Sequence, residues 1–310
     1  MSKFDRLINN LFYNRKLFFD SIINHIGFIL PDKFYLSIKY RCLMGKWINW
    51  NSPQLYQEKL QWLKIFDRNP LYTKMVDKIT VKEYVANIIG KDYIIPTLGV
   101  WDKFDDIKFD LLPEQFVLKT NNGGGNTGVV VCTDKKNLDY KKTKLILESA
   151  MKNSIYRKFR EWPYKNIKPR IFAEVYMTDD SEFNSGGLSD YKFTCFNGEV
   201  DNVMVCVDRQ LNDPKFYFFN REWQLLPLNV RGKNTESTFK LPKPECMNEM
   251  FELASQLSRN IPFLRVDLYC INGKPYFGET TFFPASGFDS NILPETEILF
   301  GNKINLSNLK

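Results

Sequence analysis

The chain has 310 residues, 44% of them hydrophobic and 25% charged, with a formal net charge of +7, a composition that supports a packed core and excludes a disordered chain. One histidine, His25, and six cysteines placed singly along the chain give no zinc-ligand spacing and no Ser-His or Cys-His pair for nucleophilic catalysis. The basic residues are dispersed, which points away from nucleic acid and toward an anionic small molecule or polymer, and the cysteines read as reduced core residues of a cytoplasmic protein.

In chain order, the apolar stretch at residues 17–30 is interrupted by Asp20, Asn24 and His25 and lacks a small-residue cleavage site, so it reads neither as a signal peptide nor as a membrane span. Residues 4–47 read as helices packed on the main body, with peripheral contact to the inner face of a membrane as the competing expectation. Ser52 and Pro53 look like the N-cap and first-turn proline of a helix carrying Leu55, Leu60, Leu63 and Phe66. A second helix is expected over residues 77–89, closed by Gly90.

From Ile94 the pattern changes to short apolar runs at residues 94–100, 115–119, 129–132 and 171–176, with a lysine-rich helix at 135–152, which predicts a small mixed sheet with a covering helix. Further on, Asn197-Gly198 joins strands at 191–196 and 199–207, and Asn272-Gly273 joins strands at 263–270 and 274–279; both dipeptides favour tight antiparallel hairpins. A helix at 245–259 separates the hairpins, and residues 231–244 read as loop. The fold class is α+β, with a helical section at 1–75, a first lobe at 76–180 and a second at 181–310.

Two stretches carry chemistry. Phe116-Val117-Leu118-Lys119-Thr120 runs into Asn121-Asn122-Gly123-Gly124-Gly125-Asn126-Thr127-Gly128 and a second strand. Glycines let backbone N–H groups approach a polyphosphate, and a lysine ending the leading strand adds charge beside it. No Gly-Lys-Ser/Thr follows and the next element is a strand, so this is neither a Walker loop nor a dinucleotide fingerprint; a long polar hairpin is the bland alternative. In the second stretch, Arg265-Val266-Asp267 and Gly278-Glu279-Thr280-Thr281 flank the last hairpin. Alternation puts Arg265 and Asp267 on one face with Glu279 or Thr281 opposite. Paired acids of this kind suit Mg²⁺ bridging nucleotide phosphates; a surface ion pair from Asp267 to Arg265 or Lys274 is the alternative.

Lys78, Lys119 before the glycine loop, the strand Ala173-Glu174-Val175-Tyr176-Met177 and the Asp267 to Glu279 hairpin together resemble the ATP-grasp superfamily over residues 74–290. Gln61-Trp62-Leu63-Lys64, Arg160-Glu161-Trp162-Pro163-Tyr164, Asp190-Tyr191-Lys192-Phe193 and Phe282-Phe283-Pro284-Ala285-Ser286-Gly287-Phe288 are similar to its TupA-like branch, named for teichuronopeptide biosynthesis, among capsule and cell-wall polysaccharide enzymes. The resemblance implies an ATP-grasp fold whose two sheet lobes enclose ATP. It implies that Lys78 and Lys119 contact the phosphates under a loop that includes Thr120, Asn122, Gly123, Gly124, Gly125 and Gly128. Glu174, Tyr176 and Met177 would then line the adenine pocket, Lys192 would lie on the cleft floor, and Arg265 would face the transferring phosphate. Mg²⁺ would sit on Asp267, Glu279 and Thr281, the threonine standing where many superfamily members carry asparagine.

The implied reaction joins a carboxylate to an amine through an acyl phosphate. The pathway resemblance supplies the substrates: an amino acid or other amine, and a sugar acid that is nucleotide-, lipid- or polymer-linked. A sugar or lipid-linked phosphoryl transferase on the same fold and a polysaccharide glycosyltransferase are the rival readings. Arg157, Arg160, Tyr164, Arg209 and Ser286 are candidates for the acceptor pocket.

Overall fold

The computed structural model describes residues 23–24, 27–125, 127–179, 188–207, 214–236 and 238–309. His25, Arg209 and residues 4–22 of the expected N-terminal helices therefore lie outside the described residues. The helical section supplies α1 (Asp32–Met44), α2 (Tyr56–Phe66), α3 (Leu71–Val76) and α4 (Thr80–Ile89). Ser52 does not cap α2. The free N–H groups of Gln54 and Leu55 go instead to the Glu58 carboxylate, at 3.2 and 3.3 Å, so the helix starts one turn later than expected. Asp77 likewise stands before α4, its Oδ1 accepting from the Ile79 N–H at 2.9 Å.

The first sheet contains β1 (Thr97–Trp101), β2 (Phe116–Thr120), β3 (Val129–Cys132) and β4 (Ile171–Val175) in the order β1-β4-β2-β3. Every pairing in it is antiparallel rather than mixed, because the glycine loop returns β3 directly alongside β2. Two helices, α5 (Tyr140–Lys152) and α6 (Ile155–Phe159), lie between β3 and β4 in the chain, and Asp139 caps α5 through its side chain. Leu147 of α5 shares a core with Phe116, Leu118, Ile171 and Ala173.

The second sheet runs β10-β9-β5-β6-β7-β8. Its members are β5 (Asp190–Phe196), β6 (Glu199–Val207), β7 (Lys215–Phe219), β8 (Leu225–Leu226), β9 (Phe263–Ile271) and β10 (Lys274–Thr281). The chain also carries α7 (Val230–Lys233), α8 (Met247–Leu257) and α9 (Pro294–Lys303). Both expected hairpins form: Asn197 and Asn272 have φ of 53° and 50°, and the glycines after them 90° and 75°, the left-handed pair that a two-residue turn requires. Phe193, Phe251, Phe263, Leu264, Val266 and Leu268 are buried in the core beneath this sheet, which Val81 and Val85 of α4 and Leu60 of α2 share. Each such side chain contributes about 1.5–3 kcal/mol by leaving water. Among the described residues no helix is long and apolar enough to cross a membrane.

Candidate active site

The end of the β9–β10 hairpin places Asp267 directly across from Glu279, and Arg265 across from Thr281. A bulge at Gly278 sets this register. Only glycine fits there, since a β-carbon would come within 2.9 Å of the Asp267 carbonyl and 3.1 Å of the Tyr269 ring. Asp267, 2% exposed, receives Arg265 Nε at 2.7 Å and Nη2 at 2.8 Å, and Lys192 from neighbouring β5 donates to its Oδ2. Lys192 also pairs with Asp190, two residues back on the same strand face. Arg265 Nη2 donates to Thr281 Oγ1 at 3.1 Å and lies 3.6 Å from Glu279 Oε1.

Lys78 reaches across the cleft from the turn before α4. Its Nζ donates to Glu279 Oε2 at 2.7 Å and to the Gly123 carbonyl at 2.8 Å, tying the glycine loop to the hairpin of the other sheet. Burial opposes ionisation of Glu279, but the adjacent Lys78 ammonium and Arg265 guanidinium outweigh it and hold the carboxyl at about 2. The Arg265 guanidinium, though buried, is held charged by Asp267 beside it. Three cations and three carboxylates thus meet where the two sheets approach each other.

A second charged group sits on the first sheet. Glu174 of β4, 5% exposed, pairs with Lys119 of β2 through one oxygen and with Lys82 of α4 through the other. Burial resists its charge and the two lysines overcome it, so its carboxyl stays below the ordinary range. Each Glu174 oxygen thus carries one lysine and keeps a second lone pair for a further donor. Tyr176 and Met177 follow β4 directly and are half-buried.

The glycine loop is anchored at its base. Asn121 Nδ2 donates to Asp77 Oδ2 at 3.0 Å, and its Oδ1 accepts from the Arg170 N–H at 2.7 Å. Asn122 Nδ2 donates to the Asn153 carbonyl at 3.1 Å, past the end of α5. Gly128 has φ of 74°, and a β-carbon there would lie 2.5 Å from Thr120 Oγ1 and 2.6 Å from Ala150 Cβ. The Thr120 hydroxyl beneath the loop is buried without a hydrogen-bond partner. Gly124 and Gly125 lie at the tip, where a β-carbon on Gly125 would meet open space.

A family model described as TupA-like ATPgrasp matches residues 58–305. The chain belongs to the TupA-like ATP-grasp family. A search of curated proteins gives no match. Among solved structures, the D-alanine–D-alanine ligase of Helicobacter pylori is similar at 16% identity, covering 81% of this chain and 69% of its own, with a TM-score of 0.43. The D-cycloserine synthetase DcsG is 13% identical over 78% of this chain and 72% of its own, with a TM-score of 0.43. The D-alanine–D-alanine ligase of Bacillus anthracis complexed with ATP is 15% identical over 76% of this chain and 66% of its own, with a TM-score of 0.42. These likenesses are distant, and membership rests on the family match.

For an ATP-grasp chain the fit of Mg²⁺ turns on the donors at hand. Asp267 and Glu279 offer hard oxygens from facing positions, and among the described residues no group of three or more His, Cys, Asp or Glu is arranged to hold a metal ion. Mg²⁺ characteristically takes one or two carboxylates and completes its shell with phosphate and water, so the pair fits a nucleotide-bridged ion. Lys78, Lys192 and Arg265 now occupy those oxygens and neutralise the two acids.

Of the acceptor candidates, Tyr164 and Ser286 adjoin this cluster. Burial, and next the charges of Glu161 and Glu279, push the Tyr164 phenol up, which sets it in the field of both carboxylates. Arg160 faces the helical section, its Nε 3.0 Å from Asp32 Oδ1 and its guanidinium 4.0 Å from the centre of the Tyr35 ring. Arg157 is exposed. The motif reading missed Lys82, four residues after Lys78, and gave no role to Asp190, two before Lys192; both spacings were available as signals. It assigned no role to Glu161 and Lys64, which both bond to Ser286 in the loop at residues 282–288.

Proposed function

We propose that this protein is an ATP-dependent, ADP-forming ligase that joins the amine of an amino acid to a sugar acid by way of an acyl phosphate, in capsule, O-antigen or teichuronic-type polysaccharide assembly. The observation that carries the reading is the facing pair Asp267 and Glu279, ringed by Lys78, Lys192 and Arg265 and roofed by the Gly123 carbonyl. A carboxylate reacts poorly with an amine because its oxygen leaves badly, and phosphorylation supplies a leaving group. The protein's task is then positioning and charge neutralisation.

In this reading Mg-ATP supplies the phosphoryl group, with Asp267 and Glu279, and Thr281 beside them, holding the metal. Lys78 and Lys119, freed from their present carboxylates, meet the phosphates, and Lys192 lines the cleft floor. Arg265 keeps its charge in the buried site and stabilises the negative charge that builds on the transferring group. The loop containing Thr120, Asn122, Gly123, Gly124, Gly125 and Gly128 covers the phosphates and keeps water out, while Glu174, Tyr176 and Met177 flank the base. No protein nucleophile is needed.

The test is ADP release from Mg-ATP with panels of free amino acids and hexuronic acids, the latter free and nucleotide-linked. Release that requires both a carboxylate and an amine, with an amide product by mass spectrometry, is the expected result. A stable phosphorylated sugar formed without any amine would favour phosphoryl transfer instead. Peripheral membrane contact through the helices of residues 4–47 would appear as sedimentation with anionic vesicles, and protein that stays in the supernatant would count against it.

A further inference from the structure

The charged cluster continues beyond Arg265 into a polar group that phosphate chemistry leaves without a task. Residues 285–287 all have positive φ, with 47° at Ala285, 54° at Ser286 and 65° at Gly287. Two successive non-glycine residues in this region are strained, and such strain persists only where surroundings enforce it. The enforcing contacts are visible. The Ser286 carbonyl accepts from Lys64 Nζ at 2.8 Å and from Gln61 Nε2 at 3.2 Å, and the Gly287 carbonyl accepts from Gln61 at 2.7 Å. The Ser286 N–H is tied to the Phe283 carbonyl at 2.8 Å.

This anchoring aims one side chain. Ser286 Oγ donates to Glu161 Oε1 at 2.6 Å. Glu161 is itself mounted between Arg160, left-handed with φ of 56°, and the 3-10 turn Trp162–Tyr164, whose Tyr164 N–H returns to the Glu161 carbonyl at 3.1 Å. The charged groups facing Glu161 are Lys64 from α2 and Arg265 from β9, with the Tyr164 phenol alongside. Lys64 spends its three hydrogens on uncharged oxygens, those of Gln61, Phe159 and Ser286, and makes no ion pair with Glu161. Burial therefore raises the affinity of Glu161 for a proton, with Lys64 opposing.

We propose that Glu161, acting through the Ser286 hydroxyl, is the proton acceptor for the incoming amine. The inference rests on the ligase reading and adds to it the amine side of the site. An amino acid arrives as an ammonium ion with no lone pair. One N–H proton passes to Ser286 Oγ as the serine proton passes to Glu161, leaving a neutral amine, an intact serine and a protonated Glu161. The nitrogen lone pair then forms the C–N bond while the bond from the acyl carbon to the phosphate oxygen breaks, and the second nitrogen proton is carried off by the departing phosphate. The chemical class of the ligand is a primary ammonium, presented beside the Arg265 end of the cleft.

The test compares two nucleophiles on one acyl phosphate. Glu161→Gln keeps the acceptor for the Ser286 hydroxyl but not the basicity, and Ser286→Ala removes the relay. Wild type and both variants are assayed with Mg-ATP and the hexuronate panel. The nucleophile is either a free amino acid or hydroxylamine, which is largely uncharged at neutral pH and needs no proton removed before it attacks. Glu161→Gln should lower amide formation by about 100-fold or more, the scale of general-base catalysis, while hydroxamate formation falls by less than about 5-fold; Ser286→Ala should show the same selectivity. Equal losses with both nucleophiles, or amide formation that persists in both variants, overturn the assignment. Absence of hydroxamate from wild type overturns the ligase reading instead, so the two failures are distinguishable.

Discussion

Replacing Asp267 by asparagine is expected to cost stability as well as function. The carboxylate is 2% exposed, and it neutralises Arg265 through two hydrogen bonds of 2.7 and 2.8 Å and Lys192 through a third contact. Removing its charge leaves three cations, buried Lys192 and half-buried Lys78 and Arg265, facing two carboxylates, Asp190 and Glu279. Breaking a buried pair from one side costs about 3–5 kcal/mol, because the surviving charge keeps its desolvation penalty. Removing the surplus cation as well should return part of this, so Asp267→Asn combined with Lys192→Met should be less damaging than the two single changes added together, by about 0.5–3 kcal/mol. Urea unfolding followed by circular dichroism and tryptophan fluorescence gives the four midpoints of the cycle. An Asp267→Asn variant within about 1 kcal/mol of wild type, or strictly additive effects, would refute the claim that this cluster is electrostatically closed.

Other expectations follow from the same geometry. Glu279 sits at about 2 against an ordinary 4.5; a depressed acid contributes stability above its unfolded value and loses it as pH falls through the folded one. The thermal midpoint of wild type should therefore drop as pH falls below about 4.5, and Glu279→Gln should flatten that acid limb while lowering the midpoint at neutral pH. Gly128→Ala, with φ of 74° and contacts of 2.5 and 2.6 Å awaiting a β-carbon, should cost about 2–3 kcal/mol, against about 1 for Gly125→Ala in open space; equal unfolding midpoints would contradict this. Ala285→Gly relieves a left-handed alanine and should stabilise the chain by about 0.5–1 kcal/mol, and a lower unfolding midpoint would count against strain at that loop.

The sequence made the frame of the site legible where local chemistry decides structure. Asn-Gly turns name their own hairpins, so β9 and β10, with Asp267 and Glu279 on them, could be placed without tertiary information. Alternation alone left Glu279 and Thr281 as equal candidates to face Asp267, and the bulge at Gly278 resolved it in favour of Glu279. β7 was missed because Lys-Phe-Tyr-Phe-Phe carries no alternating signal, and β8 because two residues make no pattern. Glu174 meets Lys119 across the paired strands β2 and β4, a pairing of distant segments, and meets Lys82 only through the placement of α4. The Glu161, Ser286 and Lys64 group joins three segments far apart in the chain, and no spacing rule links them.

The most direct test of the central claim is calorimetric titration of the folded protein with a non-hydrolysable ATP analogue and Mg²⁺, beside Lys119→Ala and Glu279→Gln. Saturable Mg²⁺-dependent binding by wild type that is lost in both variants is the predicted result. A folded wild-type protein that binds no nucleotide, or variants that bind as well as wild type, would contradict the assignment of the cleft between the two sheets as the nucleotide site.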